Sequence, residues 1–169
     1  MSRTRFLSLL SVIALLFCGT ASAQTMSAKG NIVVTKQVTG MLSVLWSESG
    51  LAPNQEVSYE VMGTASATYA CVAGSTATAL PSVSDPVSVG LALVASSTGT
   101  IRQTVGVGVP DATSAASRCS GNVVLYQVSY TGMYVCDLTT PLPCTPVGSG
   151  NFTQTFCNLT KSPGRCPPA

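Results

Sequence analysis

The side chains able to do chemistry in this chain are few, and their types exclude more than they offer. No histidine is present, which removes Ser-His-Asp and Cys-His catalysis, imidazole acid–base work and nearly all catalytic zinc sites. The carboxylates are Glu48, Glu56, Glu60, Asp85, Asp111 and Asp137. Glu56 and Glu60 share one face of an alternating stretch, but at strand rise they stand about 13 Å apart, wider than the roughly 5–10 Å of paired glycosidase carboxylates. They read as a solvated strand face. Glu48 beside Trp46 can be a small sugar-binding corner or a core tryptophan next to an edge carboxylate, and the plainer second reading is the expectation. Gly106-Val107-Gly108 runs on into Val109, Pro110 and Asp111, which breaks the dinucleotide fingerprint, and no G-x-S-x-G occurs. Asp85 and Asp111 stand singly in loops without the spacing of a calcium-binding hand. The expectation is a chain without catalytic, cofactor-binding or metal-ligating residues, and not an enzyme.

The cysteines carry a different message. Cys71, Cys119, Cys136, Cys144, Cys157 and Cys166 follow the N-terminal segment, an even number that predicts three disulfides in an exported chain. None sit at the short spacing of a structural zinc site. Cys136 and Cys144 bracket Asp137 to Pro143, and Cys157 and Cys166 bracket Asn158 to Arg165, so each pair is expected to staple a local turn. Cys71 then joins Cys119, tying a strand end to a long loop.

Export itself is read from the first 23 residues: Arg3 and Arg5, an apolar run from Phe6 to Phe17, and Ala21-Ser22-Ala23 as a peptidase site. The run is too short to span a bilayer, and the bulky Phe17 beside Cys18 argues against a lipid anchor. Residues 1–23 are therefore expected to be a signal peptide and residues 24–169 one secreted domain, extracellular, periplasmic or on the cell surface. Loss of Arg3 and Arg5 leaves six basic against six acidic residues. Such sparse, balanced charge supplies no footprint for nucleic acid or anionic lipid. Solubility then rests on hydroxyl and amide side chains. Asn151-Phe152-Thr153 and Asn158-Leu159-Thr160 are glycosylation sequons, of use only in a eukaryotic source.

The elements that must position these residues are strands. Val57, Tyr59 and Val61 alternate with Glu56, Ser58 and Glu60, and past Gly63 the phase resumes with Ala65, Ala67, Tyr69 and Cys71. Two strands with a glycine-centred hairpin or bulge is the simplest reading, with both tyrosines toward the core. Before them, NIVVTK and MLSVLWSES read as strands, the second with Leu42, Val44 and Trp46 on one face. Gly74 to Pro86 reads as a loop, followed by strands from Val87 and from Ile101, a long polar connection from Pro110 to Gly121, and a two-faced central strand, NVVLYQVSY. MYVCDLT, a proline-rich link and a strand near Asn151 to Phe156 close the chain. Tyr126, Tyr130, Tyr134, Phe152 and Phe156 can line a binding face, though filling the core is the plainer account. About nine short strands with turn punctuation predict an all-β fold, a single antiparallel, Ig-like β-sandwich held by disulfides.

The segments Trp46 to Leu51, W-S-E-x-G-L, and Tyr59 to Val72, Y-x-x-x-G-T-A-x-A-x-Y-x-C-V, resemble a group of exported, mostly actinobacterial proteins of unknown function. The likeness runs on through VLYQVSYTG to NFTQTF and departs at the four cysteines after residue 130. The resemblance implies secretion and a β-fold, and it supplies no site residues. Two functions remain as expectations. The first is a non-enzymatic extracellular binding or structural module acting on a glycan, a wall polymer or another protein. The second is a secreted effector, an inhibitor or toxin, presenting a disulfide-held loop to a protein partner. A fibre subunit would need a free donor strand, for which residues 24–30 are the candidate.

Overall fold

The computed structural model describes residues 23–35, 39–161 and 166–169. The basic and apolar parts of the expected signal peptide, and Arg165 with the three residues before it, lie outside the described residues. Among the described residues, nine strands and one short helix follow in order: β1 (Thr25–Val34), β2 (Thr39–Ser49), β3 (Glu56–Ala73), β4 (Thr76–Ala79), β5 (Val83–Val94), β6 (Thr100–Val107), α1 (Thr113–Ala116), β7 (Asn122–Asp137), β8 (Thr145–Pro146) and β9 (Phe152–Thr155). All pairings are antiparallel. One sheet is ordered β1-β2-β6; the other is β4-β3-β7-β8, with β5 on β3 and β9 on β7.

Period-two alternation decides which side chains meet between the sheets. Leu42, Val44 and Trp46 of β2 and Ile101 and Val107 of β6 bury against Val57, Tyr59 and Val61 of β3 and Val128, Tyr130 and Val135 of β7, in one cluster. At about 1.5–3 kcal/mol for each large apolar side chain removed from water, this cluster is the main source of stability. A second, smaller cluster gathers Ala67, Tyr69 and Leu125 under Ala115 of α1.

The stretch around Gly63 forms a single strand of 18 residues, so the hairpin alternative gives way to the bulge. Pairing with β7 shifts register between Met62 and Thr64. Gly63 has φ +156°, and a Cβ there would run into Met133 Sδ and come within 3.0 Å of the carbonyl oxygens of Thr131 and Gly132. Glycine is what lets β3 cross the bulge without breaking. The unchanged odd-numbered phase on both sides of Gly63 is the sequence trace of that continuity.

Other expectations are corrected. The loop from Gly74 to Pro86 contains β4 and the start of β5. Pro86 sits within β5 opposite Thr64; among the described residues β5 has β3 as its only sheet partner, and an edge is where a strand tolerates a residue that cannot donate. The apolar residues of NVVLYQVSY do divide between two faces, but where strict alternation puts Val123 and Leu125 on one and Val124, Tyr126, Val128 and Tyr130 on the other, a second register shift between Thr68 and Tyr69 changes the division. Leu125 stands with Tyr69 in the second cluster, while Val124 and Ala70 are covered by Cys166 and Leu159 of the C-terminal tail. Residues 25–30 of the candidate donor strand are paired with β2 from Thr25↔Ser49 onward, so this segment is occupied within its own sheet.

The three disulfides are those expected from spacing: Cys71–Cys119, Cys136–Cys144 and Cys157–Cys166, with Cα–Cα distances of 5.4, 4.2 and 5.0 Å.

Candidate functional site

Two places gather polar side chains from several strands. The first is buried. Glu48 lies in phase with Leu42, Val44 and Trp46 and is 2% exposed, so it is no edge carboxylate: the parity that buries the tryptophan buries the acid as well. Asp137, at the end of β7, is 4% exposed. Tyr59 donates its hydroxyl to Glu48 Oε2 at 2.6 Å. Gln24 reaches both acids through one carboxamide nitrogen, donating to Glu48 Oε1 and lying 3.2 Å from Asp137 Oδ2 and 3.1 Å from Thr140 Oγ1. Asp137 also accepts from the backbone N–H groups of Thr139 and Thr140 at 2.7 and 3.2 Å, and from the Thr140 hydroxyl. The Cys136–Cys144 bridge brackets this turn.

The chemistry of this cluster is structural. A buried acid is tolerated when its oxygens are satisfied, and here the donors are a phenol, a carboxamide, a hydroxyl and backbone amides. Burial raises the Tyr59 phenol far above its ordinary value, and the hydrogen bond to Glu48 and the charges of Glu48 and Asp137 add to the shift. Tyr69 is raised by burial, then by Asp111 and Asp85; its hydroxyl donates to the Pro110 carbonyl. Burial pushes Tyr130 up to about 12, its hydroxyl donating to the carbonyls of Gly40 and Val107 at 2.8 and 3.1 Å.

A group with a raised folded pKa adds stability that is full below the unfolded value, about 10 for tyrosine, and is lost as pH climbs through the folded value. These three tyrosines are therefore expected to ionise only together with alkaline unfolding. Phenolate absorbance followed beside circular dichroism checks this. Ionisation of these three near pH ~10 with the fold intact would contradict it.

The second place is the outer face of the larger sheet. Ser84, Ser66, Ser129 and Thr153 stand in one row across β5, β3, β7 and β9. Thr68, Gln127 and Thr155 form the next row. Side-chain hydrogen bonds lock the rows: Ser66 to Ser84 at 2.7 Å, Thr68 to Ser82 at 2.8 Å, and Gln127 Nε2 to Thr155 Oγ1 at 2.9 Å. Pro86, Thr64 and Thr131 make a third row, beyond which Tyr134, 41% exposed, lies opposite Met62. With neighbouring strands about 4.8 Å apart, four strands give a polar table about 14 Å across, and these rows hold no ionisable group apart from the Tyr134 phenol at the table's edge.

Compared with family models, curated proteins and solved structures, the chain finds no match.

Of the residues singled out by sequence, Glu48 and Trp46 are neighbours in the core and form no exposed sugar-binding corner. Of the late aromatics, Tyr130 is core, Phe152 and Phe156 pack against it, and Tyr134 is on the outer face. Glu56 is exposed, and Glu60 accepts from Ser88 at 2.7 Å. Asn151 and Asn158 are both exposed; Asn158 Oδ1 accepts from the backbone of Thr160 and Lys161. Among the described residues no three His, Cys, Asp or Glu side chains gather to hold a metal ion, and no helix is long and apolar enough to cross a membrane. Sequence reasoning missed Gln24 and Thr140, whose partners are 113 positions away in one case and 116 in the other.

Proposed function

We propose that the chain is exported by cleavage before Gln24 and acts, without catalysis, as a binding module for a neutral hydroxylated polymer, a glycan or wall polymer, through the outer face of β5, β3, β7 and β9. The observation that carries this reading is the in-register table of hydroxyl and amide side chains ending at the exposed ring of Tyr134. Serine and threonine hydroxyls both donate and accept. They match sugar hydroxyls without the desolvation that a charged pair would incur. Short side chains already fixed by cross-strand hydrogen bonds lose little freedom on binding, and a tyrosine ring at the end of the row offers a face for a sugar ring.

Export is supported by the three disulfides, which persist in oxidising compartments. The alternative, an effector acting through the loop between Cys136 and Cys144, draws less support. That loop is tied inward through Asp137 and through Thr139, whose hydroxyl accepts from Ser58 N at 2.8 Å, with Leu138, Pro141 and Pro143 exposed.

The test is retention of the mature protein on a panel of neutral polysaccharides and cell-wall polymers, beside inhibition assays on proteases. Binding to at least one polymer is expected, with Tyr134→Ala weakening it by up to about tenfold and Ser66→Glu on the table weakening it further. Binding that ignores both substitutions would move the site off this face. No retention on any polymer, together with stoichiometric protease inhibition, would favour the effector.

A further inference from the structure

We propose that Gln24 is a masked modification site: in the folded mature chain the buried acids Glu48 and Asp137 hold its carboxamide away from its own α-amine and so prevent closure to the N-terminal lactam. The inference rests on the export reading above, in which cleavage after Ala23 makes Gln24 the first residue.

An amino-terminal glutamine modifies itself. Its α-nitrogen attacks the side-chain carbonyl carbon, a nitrogen–carbon bond forms, the bond from that carbon to Nε2 breaks, and Nε2 leaves as ammonia with the proton given up by the amine. The reaction needs no cofactor and no oxidant. It does need the side chain to curl back onto the amine.

Here the carboxamide is engaged by other groups. Gln24 Nε2 has two hydrogens to give and three acceptors around it, Glu48 Oε1, Asp137 Oδ2 and Thr140 Oγ1. Two of these belong to side chains that are 2% and 4% exposed. The backbone is held as well. Ala23 and Gln24 lie against Gly50, where φ is +87° and a Cβ would come within 2.9 Å of the Ala23 carbonyl oxygen and of Gln24 Cα. From Thr25 onward the chain is paired with β2. Ala23 itself is exposed, so the bond before Gln24 is open to a peptidase while the side chain beyond it is engaged.

Lactam formation would consume the nitrogen that bridges the two acids. The folded state opposes that loss, and cyclisation must wait for a local opening of the amino-terminal end of β1.

The experiment secretes the full chain from a host lacking glutaminyl cyclase and follows the intact mass and the amino-terminal peptide. A chain beginning at Gln24 with its ammonia retained is expected. During incubation at neutral pH the folded protein should lose ammonia on the order of tenfold more slowly, or slower still, than the same protein reduced and unfolded in urea. Thr140→Val removes one acceptor of the carboxamide, together with the hydroxyl donor to Asp137, and leaves both acids in place. It should speed cyclisation several-fold in the folded state and leave the unfolded rate unchanged. Equal folded and unfolded rates from a chain that begins at Gln24 would overturn this inference alone. A start at any other residue would overturn the export reading with it.

Discussion

Trp46→Ala is expected to lower stability by about 3–5 kcal/mol, the range for emptying a large aromatic site in a packed core. Trp46 lies on the middle strand of the smaller sheet, fully buried, with its ring 5.5 Å from that of Tyr59. Against a net stability of about 5–15 kcal/mol for a domain of ordinary size, that loss is a third or more of the total. Trp46→Phe should behave differently. The indole Nε1 is buried and has no hydrogen-bond partner among the described residues, and an unsatisfied buried donor costs about 1–3 kcal/mol. Phenylalanine gives up part of the packing but also removes that penalty, so a net change within about 1 kcal/mol is expected, the two effects being of similar size. Urea midpoints at unchanged slope give the comparison. A phenylalanine variant as damaged as the alanine one would show that the shape of the ring outweighs the orphaned N–H.

The same residue marks how far the sequence could be read. Alternation of Leu42, Val44 and Trp46 makes the buried face of this strand legible, and repeated in other segments it makes the all-β class legible as well. Glu48 continued the same parity, and a strict reading would have buried it. The expectation of an edge position arises because a lone carboxylate in a core has no visible partner in the local sequence. Its partners are Tyr59 on β3 and Gln24 just before β1, and their meeting is a property of pairing across the fold. The bulge between Thr68 and Tyr69 hid the facing of Val124 and Leu125 for a related reason. One extra residue inverts the phase, and nothing local announces it. The hydroxyl table was present as scattered serines and threonines. Only the register of β5, β3, β7 and β9 turns them into rows.

Removing the Cys71–Cys119 bridge is the second large effect. Its loop spans 48 positions, against 8 and 9 for the other two, and in the chain-entropy model closing it constrains the unfolded chain by about 4 kcal/mol, compared with roughly 2.5 for each short loop. The paired substitution Cys71→Ser with Cys119→Ser is therefore expected to cost more than the paired serine substitution at either local bridge. The folded state adds to the difference. Cys119 closes the connection that carries α1, and Ala115 of that helix covers Tyr69 and Leu125. Without the tether the connection must hold its place by the contacts of Ala115 and the hydrogen bond from Tyr69 to the Pro110 carbonyl. Denaturant titration should show a lower midpoint and a steeper slope, because an unfolded chain freed of its widest loop exposes more surface. A larger loss from either local bridge would mean that the staples act on the native turns, through the seating of Asp137 or of the tail over Ala70 and Val124, more than on the entropy of the unfolded chain.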